Sequence, residues 1–574
     1  MTRFPLRALA AATIAAVATV TVVVAQRPTF APVTQEMLLK PSPDDWLMYS
    51  RTYDAQRFSP LKQINRQNVG QLKEVFKKEL GNGPHESIPI VYRGVMYMLL
   101  PGSSIQAIDA STGALIWEHR RPSGAGRAKT LAIYDDMVFY TAPDGFIVAL
   151  DARTGEVRWE TRSSGGMIAG VIVVEGKVIS GRSCAPTRDN CYIAAHDAKT
   201  GAELWRFYTA AGSNEPGGDT WAGAPDATRA ASTWGLPGNY DPVKRLLYWG
   251  VANPTPNTRA NRHGGKYDAV GYTAPIDLYS NSTIALNPDT GKLAWYYQHL
   301  PGDDWDEDYP HERTLLRTAV SPDPKFVKWI NPDVKKGEPR DVALMVGEGG
   351  GIFALDRGTG QFLWANPFPF DTPNFLISNI DGKTGRVTIN KDVTFSGPND
   401  RKVICYWNTR SYWPTAYHPG SNSLFVPYVE NCLDMTTAGP NNTPRERRVG
   451  IPREGSDPNK WAGLMKINAS TGQMTPIYQG RAPGNGAVLT TGGDLVFWGD
   501  LDQKFRAFDA VSGRVMWEQR LNGPIQNSTI TYAVNGKQYV AVMTGSGLVT
   551  GGVMDQAGIK PNRGYNALYV YALP

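Results

Sequence analysis

The sequence predicts an all-β chain of propeller type, and three observations predict it. A short turn pattern recurs eight times. Most copies end in tryptophan, and runs of strand-forming residues lie between them. The clear copies are AIDASTGALIW (107–117), ALDARTGEVRW (149–159), AHDAKTGAELW (195–205), ALNPDTGKLAW (285–295) and ALDRGTGQFLW (354–364). Two weaker copies are KINASTGQMTP (466–476) and AFDAVSGRVMW (507–517), and a degenerate one, INRQNVGQLKEVF, starts at Ile64.

Each element of the pattern has a physical reason. An apolar strand ends at Asp or Asn, whose side chain can bond the backbone of the turn that follows. Thr-Gly completes the turn, with Gly supplying a positive φ. A second strand then carries an indole to a fixed place, where it can pack against the next unit. Runs such as DMVFYTA, KVISG, LLYWGVA and LVFWGD read as further strands. The shortest periods leave room for four strands per unit, which suits a β-propeller; a solenoid or β-helix of the same units is the alternative.

The first residues, MTRFPLRALAAATIAAVATVTVVVAQ, read as a secretory signal over residues 1–25. Arg3 and Arg7 precede an apolar run, and Val23 and Ala25 form a small-residue cleavage pattern before Gln26. An uncleaved anchor is the alternative, but no basic flank follows the run. Residues 26–574 then form a single propeller domain with no stable membrane span. The net charge of +6 is spread along 574 residues without a basic block, which argues against a nucleic-acid partner. Four cysteines suit an oxidising compartment. Cys184 with Cys191 and Cys405 with Cys432 are the natural pairs, other pairings remaining open. No C-x-x-C-H occurs, so the chain has no motif for covalent haem.

The stretch PGDDWDEDYPHE (301–312) packs six acidic residues into twelve positions. With the tryptophan-bearing repeats and the N-terminal signal, it resembles the quinoprotein alcohol dehydrogenases from about residue 44 to the C-terminus. The resemblance implies a periplasmic, eight-bladed propeller with tryptophan docking motifs, using pyrroloquinoline quinone and a divalent cation. Asp306 matches that family's catalytic aspartate, the carboxylate that takes the alcohol proton while hydride leaves carbon. Asn253, in YWGVANPTP, matches a cation ligand whose amide oxygen suits a hard ion. Trp234, in STWGLPGNYDP, matches the indole beneath the quinone, and neighbouring Thr233 is a candidate cofactor contact. Glu86, in PHESIP, matches a cofactor-contacting glutamate. Lys129 stands where the family usually has an arginine facing a cofactor carboxylate, and an ammonium still suits an anion there.

The chain departs from the family pattern in three places. The vicinal cysteines of many members are missing, their position falling near PSGAG. In GRSCAPTRDNC, Pro186 stands near the usual metal-binding glutamate, and proline cannot ligate. Asp308, two residues past the base, is expected to supply the missing charge, since alternate side chains of an extended segment can share a side. An aspartate there also marks the lanthanide-using branch, so calcium is expected with a lanthanide as the alternative. Finally, Glu348 stands near the place of a lysine or arginine beside the quinone oxygens, and Arg410 is the candidate substitute cation. Asp303, Asp304, Glu307 and Glu312 read as solvated loop charge.

The expected activity is oxidation of an alcohol, polyol or sugar hydroxyl, with a separate cytochrome c as electron acceptor. Two alternatives stand beside it. Related repeats form non-catalytic scaffolds of the cell envelope, and a propeller could bind sugars after losing catalysis. A scaffold would not need Trp234, Asn253 and Asp306 together.

Overall fold

The computed structural model describes residues 30–102, 104–121, 129–163, 168–184, 187–368, 372–407, 409–410, 414–439, 443, 445–545, 547, 555–560, 562 and 564–574. The signal segment, Pro186 and the PSGAG stretch lie outside the described residues. Among those described, no helix is long and apolar enough to cross a membrane.

The repeat grammar becomes geometry within a few residues. Asp109 Oδ1 accepts from the amides of Ser111 and Thr112, both at 2.9 Å. Asp197, Asn287, Asp356, Asn468 and Asp509 make the same pair of bonds in their own turns. Each turn links two antiparallel strands, as in Ile105–Asp109 with Leu115–His119.

Among the described residues, eight sheets contain a four-stranded antiparallel meander, giving an all-β, propeller-type architecture. Seven are built from residues 90–119, 132–162, 168–208, 239–298, 314–367, 416–480 and 489–520. The eighth joins the two ends of the described chain. Strand Lys73–Glu79 pairs antiparallel with Ala567–Ala572, beside Lys537–Met543 and Thr529–Val534. The segments DMVFYTA, KVISG, LLYWGVA and LVFWGD each carry a strand, as expected, at Met137–Thr141, Lys177–Arg182, Leu246–Gly250 and Leu495–Gly499.

The indoles reach from one unit to the next. The rings of Trp117, Trp159, Trp205 and Trp295 cover Gly155, Gly201, Gly291 and Gly360, so closely that a Cβ on any of these glycines would collide. The Trp117 N–H also donates to Ala152 O at 3.0 Å, Trp159 to Ala198 O at 3.0 Å and Trp205 to Pro288 O at 2.9 Å. Phe76, at the end of the degenerate copy, covers Gly113 in the same way.

Three insertions matter for the site. The acidic segment leaves strand Leu293–Gln298 and enters Thr314–Val320. A short helix, Arg259–Arg262, is capped by Thr258. A separate three-stranded sheet, Arg401–Cys405, Asn431–Thr436 and Arg447–Pro452, is stapled by the Cys405–Cys432 disulfide. Cys184–Cys191 is the second bridge, so both natural pairs form.

Candidate active site

The acidic segment is buried, which corrects the expectation of solvated charge at four positions. Asp303, Asp304, Glu307 and Glu312 are all inaccessible to solvent or nearly so. Three of them have structural partners. Asp303 Oδ1 accepts from the amides of Trp305 (2.5 Å) and Asp306 (3.1 Å), and its Oδ2 from Glu307 N and Asn281 Nδ2, both at 2.9 Å. Asp304 pairs with Arg259, and Glu312 takes two bonds from Arg410 Nη2, at 2.7 and 2.5 Å. Buried charge requires such partners. Glu307 differs: both of its carboxylate oxygens are buried without a hydrogen-bond partner.

Asp303 turns the chain so that Asp306 adopts φ +67°. A non-glycine residue in this region carries strain of about 1–3 kcal/mol and persists only where surroundings enforce it. The turn sets Asp306 apart from its buried neighbours, with its side chain 36% exposed. Asn253 Nδ2 donates to Asp306 Oδ1 at 2.8 Å, and Arg448 Nη1 donates to Oδ2 at 2.6 Å.

Asp308 lies on the same network. Asn253 N donates to its Oδ1 at 2.9 Å and the Trp234 indole to its Oδ2 at 2.8 Å. Burial and then the Asp306 charge push its carboxyl up to about 8. Asp308 N in turn donates to Glu348 Oε2 at 3.2 Å. Burial, then Asp308 and Asp306, hold the Glu348 carboxyl well above the carboxylate range. Burial and the Glu348 charge do the same to Glu307. His311 meets Trp234 edge-on at 6.3 Å, with Nε2 4.0 Å from Glu348 Oε1.

On the other side, Lys129 Nζ lies 4.5 Å from the centroid of the Trp234 ring and 3.7 Å from Glu86 Oε2. Six predicted residues therefore meet in one chain of contacts, from Glu86 through Lys129, Trp234, Asp308 and Asn253 to Asp306. Thr233 stands beside it, with Oγ1 accepting from Arg182 N at 2.7 Å. Arg410 is buried against Glu312 and donates to Val346 O at 2.6 Å, away from Asp306. The cation on Asp306 is Arg448, which sequence reasoning missed. Its context, RERRVG, carries no local signal of a site.

The residues fit the expected groups. Glu307, Asp308 and Glu348 concentrate buried carboxyls whose ionised forms are disfavoured by burial and by one another, a cost that a cation would relieve. Asn253, Asp306 and Asp308 offer the oxygen donors a hard cation takes. Among the described residues, no group of three or more His, Cys, Asp or Glu side chains is spaced to hold a metal ion by itself. An indole face beside an ammonium suits a planar anion.

An all-β propeller with this constellation defines the class of quinoprotein dehydrogenases. The family model for the glucose/ethanol/alcohol dehydrogenase β-propeller domain matches residues 46–132, 160–369 and 460–540. The quinohemoprotein alcohol dehydrogenase ADH-IIG of Pseudomonas putida is 30% identical, over 97% of this chain and 80% of its own length. The quinoprotein alcohol dehydrogenase PedH of Pseudomonas putida is 28% identical, over 86% of this chain and 84% of its own. Among solved structures, that of ADH-IIG superposes with a TM-score of 0.80 at 28% identity, covering 95% of this chain and 83% of that one. A europium-containing methanol dehydrogenase superposes with a TM-score of 0.78 at 25% identity, covering 94% and 100%. The chain belongs to the PQQ-dependent alcohol dehydrogenase family.

Proposed function

We propose that this chain is a periplasmic, pyrroloquinoline-quinone-dependent dehydrogenase that oxidises an alcohol, polyol or sugar hydroxyl, with Asp306 as the base. The observation that carries this reading is the convergence of Trp234, Asn253, Asp306 and Asp308 in one hydrogen-bonded network. A scaffold protein has no use for a strained, half-exposed carboxylate beside an indole platform.

When bound, the quinone supplies a two-electron acceptor and the cation a Lewis acid. The chain's own residues divide the remaining work. Trp234 offers its flat face, and Lys129 offers an ammonium to the cofactor's carboxylates. Glu86 holds Lys129, while Thr233, fastened to Arg182, fixes the turn that carries Trp234. Asn253, Asp306 and Asp308 hold the cation. Arg410 would add positive charge near the site, with its Nη2 on Glu312 and its Nη1 on Val346 O. Asp306 takes the hydroxyl proton, its carboxylate fixed from both sides for that transfer.

Calcium is the cation assigned, with a lanthanide as the competing occupant. The extra buried carboxyls at Asp308 and Glu348, and the likeness to a europium-containing enzyme, support the competitor. The eight meanders are the blades of one closed ring over residues 26–574, with indole-on-glycine contacts as its docking motif. Residues 1–25 are the export signal. Electrons leave to a separate cytochrome c, as the chain has no C-x-x-C-H.

The test is reconstitution of purified protein with pyrroloquinoline quinone and either Ca²⁺ or La³⁺. Dye reduction is followed across alcohols, polyols and sugars. Turnover that needs both cofactor and ion supports the reading. Bound cofactor with no turnover on any hydroxyl overturns it.

A further inference from the structure

We propose that Arg448 is the positioning residue for the base, and that the disulfide-stapled three-stranded insertion serves to deliver it. This inference rests on the reading of Asp306 as the base.

Arg448 grips the base twice. Nη1 donates to Asp306 Oδ2 and Nη2 to the carbonyl of Trp305, both at 2.6 Å. One guanidinium thus spans the carboxylate and the peptide immediately before it. That peptide precedes the residue at φ +67°, so the grip acts where the backbone is strained. Asp303 holds the same turn from inside, through the amides of Trp305 and Asp306. Asn253 holds the other carboxylate oxygen. Without Arg448, Oδ2 would lose its charged donor, and the carboxylate could rotate about its last bond. Among the described residues, Arg448 is the cation that forms an ion pair with Asp306.

The origin of Arg448 gives the insertion a purpose. Arg448 lies on strand Arg447–Pro452, opposite Met435 of Asn431–Thr436. That strand pairs with Arg401–Cys405, and Cys405 faces Cys432 across the pair, where the disulfide closes. The three strands form a sheet of their own outside the eight meanders. Trp407, just beyond the first strand, has its ring 5.9 Å from the Arg448 guanidinium carbon. Arg448 keeps 22% of its side chain exposed, so part of the space left by truncation opens to solvent.

The test uses holoenzyme and its best alcohol substrate, with Arg448→Ala, Arg448→Lys and Asp306→Asn in parallel. For Arg448→Ala, kcat is expected to fall roughly 10- to 100-fold, as for a slightly misplaced catalytic group. KM should stay within about threefold and cofactor stoichiometry should be unchanged. Arg448→Lys should recover part of kcat, and guanidinium ion in the buffer should raise the alanine variant alone. Wild-type kcat in Arg448→Ala, with Asp306→Asn inactive, overturns the role of Arg448 and leaves the base intact. A loss confined to KM, or one accompanied by lost cofactor, also overturns it. Full turnover by Asp306→Asn removes the base and this inference together.

Discussion

The Trp234 indole donates to Asp308 Oδ2 at 2.8 Å, so the indole and the last aspartate of the acidic segment are one unit. The other oxygen of Asp308 is held by the backbone amide of Asn253. A buried carboxylate depends on such donors, each worth about 1.5–3 kcal/mol when the acceptor is charged. Trp234→Phe keeps a ring but deletes this donor. Cation affinity measured by titration calorimetry should fall by about tenfold or more, with the fold retained by circular dichroism.

Asp306→Asn keeps the shape of the proposed base and its bond to Asn253 but cannot take a proton. Turnover should drop by roughly 10²- to 10⁴-fold. Cofactor retention, read from the absorbance of the bound quinone, should persist.

Asp308→Asn removes a carboxyl that a bound cation would ionise, from a cluster shared with Glu348 and Glu307. Affinity for La³⁺ should fall further than affinity for Ca²⁺, because attraction scales with ion charge. Competitive binding of the two ions to wild type and variant measures this. Equal losses would show that Asp308 does not discriminate between them.

His196 governs part of the acid stability. Burial and then the Arg182 charge hold its imidazole down at about 4. The unfolded chain takes up this proton near pH 6.5, so below that pH it binds more protons than the native state. Stability is complete above pH 6.5 and declines as pH falls toward 4. His196→Gln should shrink the loss of unfolding free energy between pH 7 and pH 5 by about 2 kcal/mol, measured by denaturant titration at each pH.

Gly155 has φ +76°, and a Cβ there would strike the Trp117 ring. Gly265 has φ +87° with nothing within 4 Å of such a Cβ. Gly155→Ala should therefore cost about 1–3 kcal/mol more than Gly265→Ala, the added cost being overpacking. Paired thermal melts measure the difference.

Legibility followed distance along the chain. The Asp109 turn closes within three residues, so its chemistry could be read from eleven letters. Trp234, Asn253 and Asp306 each sit in a recognisable motif, and the fold joins them in one network. The burial of the acidic segment was not legible. Asp303 is satisfied by Asn281, 22 residues away, Asp304 by Arg259 at 45 and Glu312 by Arg410 at 98. Composition reads six carboxylates in a loop as solvated because it cannot count partners that arrive from other strands. The charge and motif of Arg410 are local, whereas its partner Glu312 lies far off in the chain. Arg448 reaches Asp306 from 142 residues away.

By itself, the sequence determined the repeating turn, the strands on either side, the indole that ends most units, and the kinds of donor available to a site. Turn closure and strand alternation depend on neighbours a few positions apart, and those neighbours are written in order. Only the tertiary structure decided which carboxyls lose water, which one stays half-exposed, and which arginine meets it. The energy of a charge depends on what lies within a few ångströms, and here packed sheets bring those groups together from distant parts of the chain.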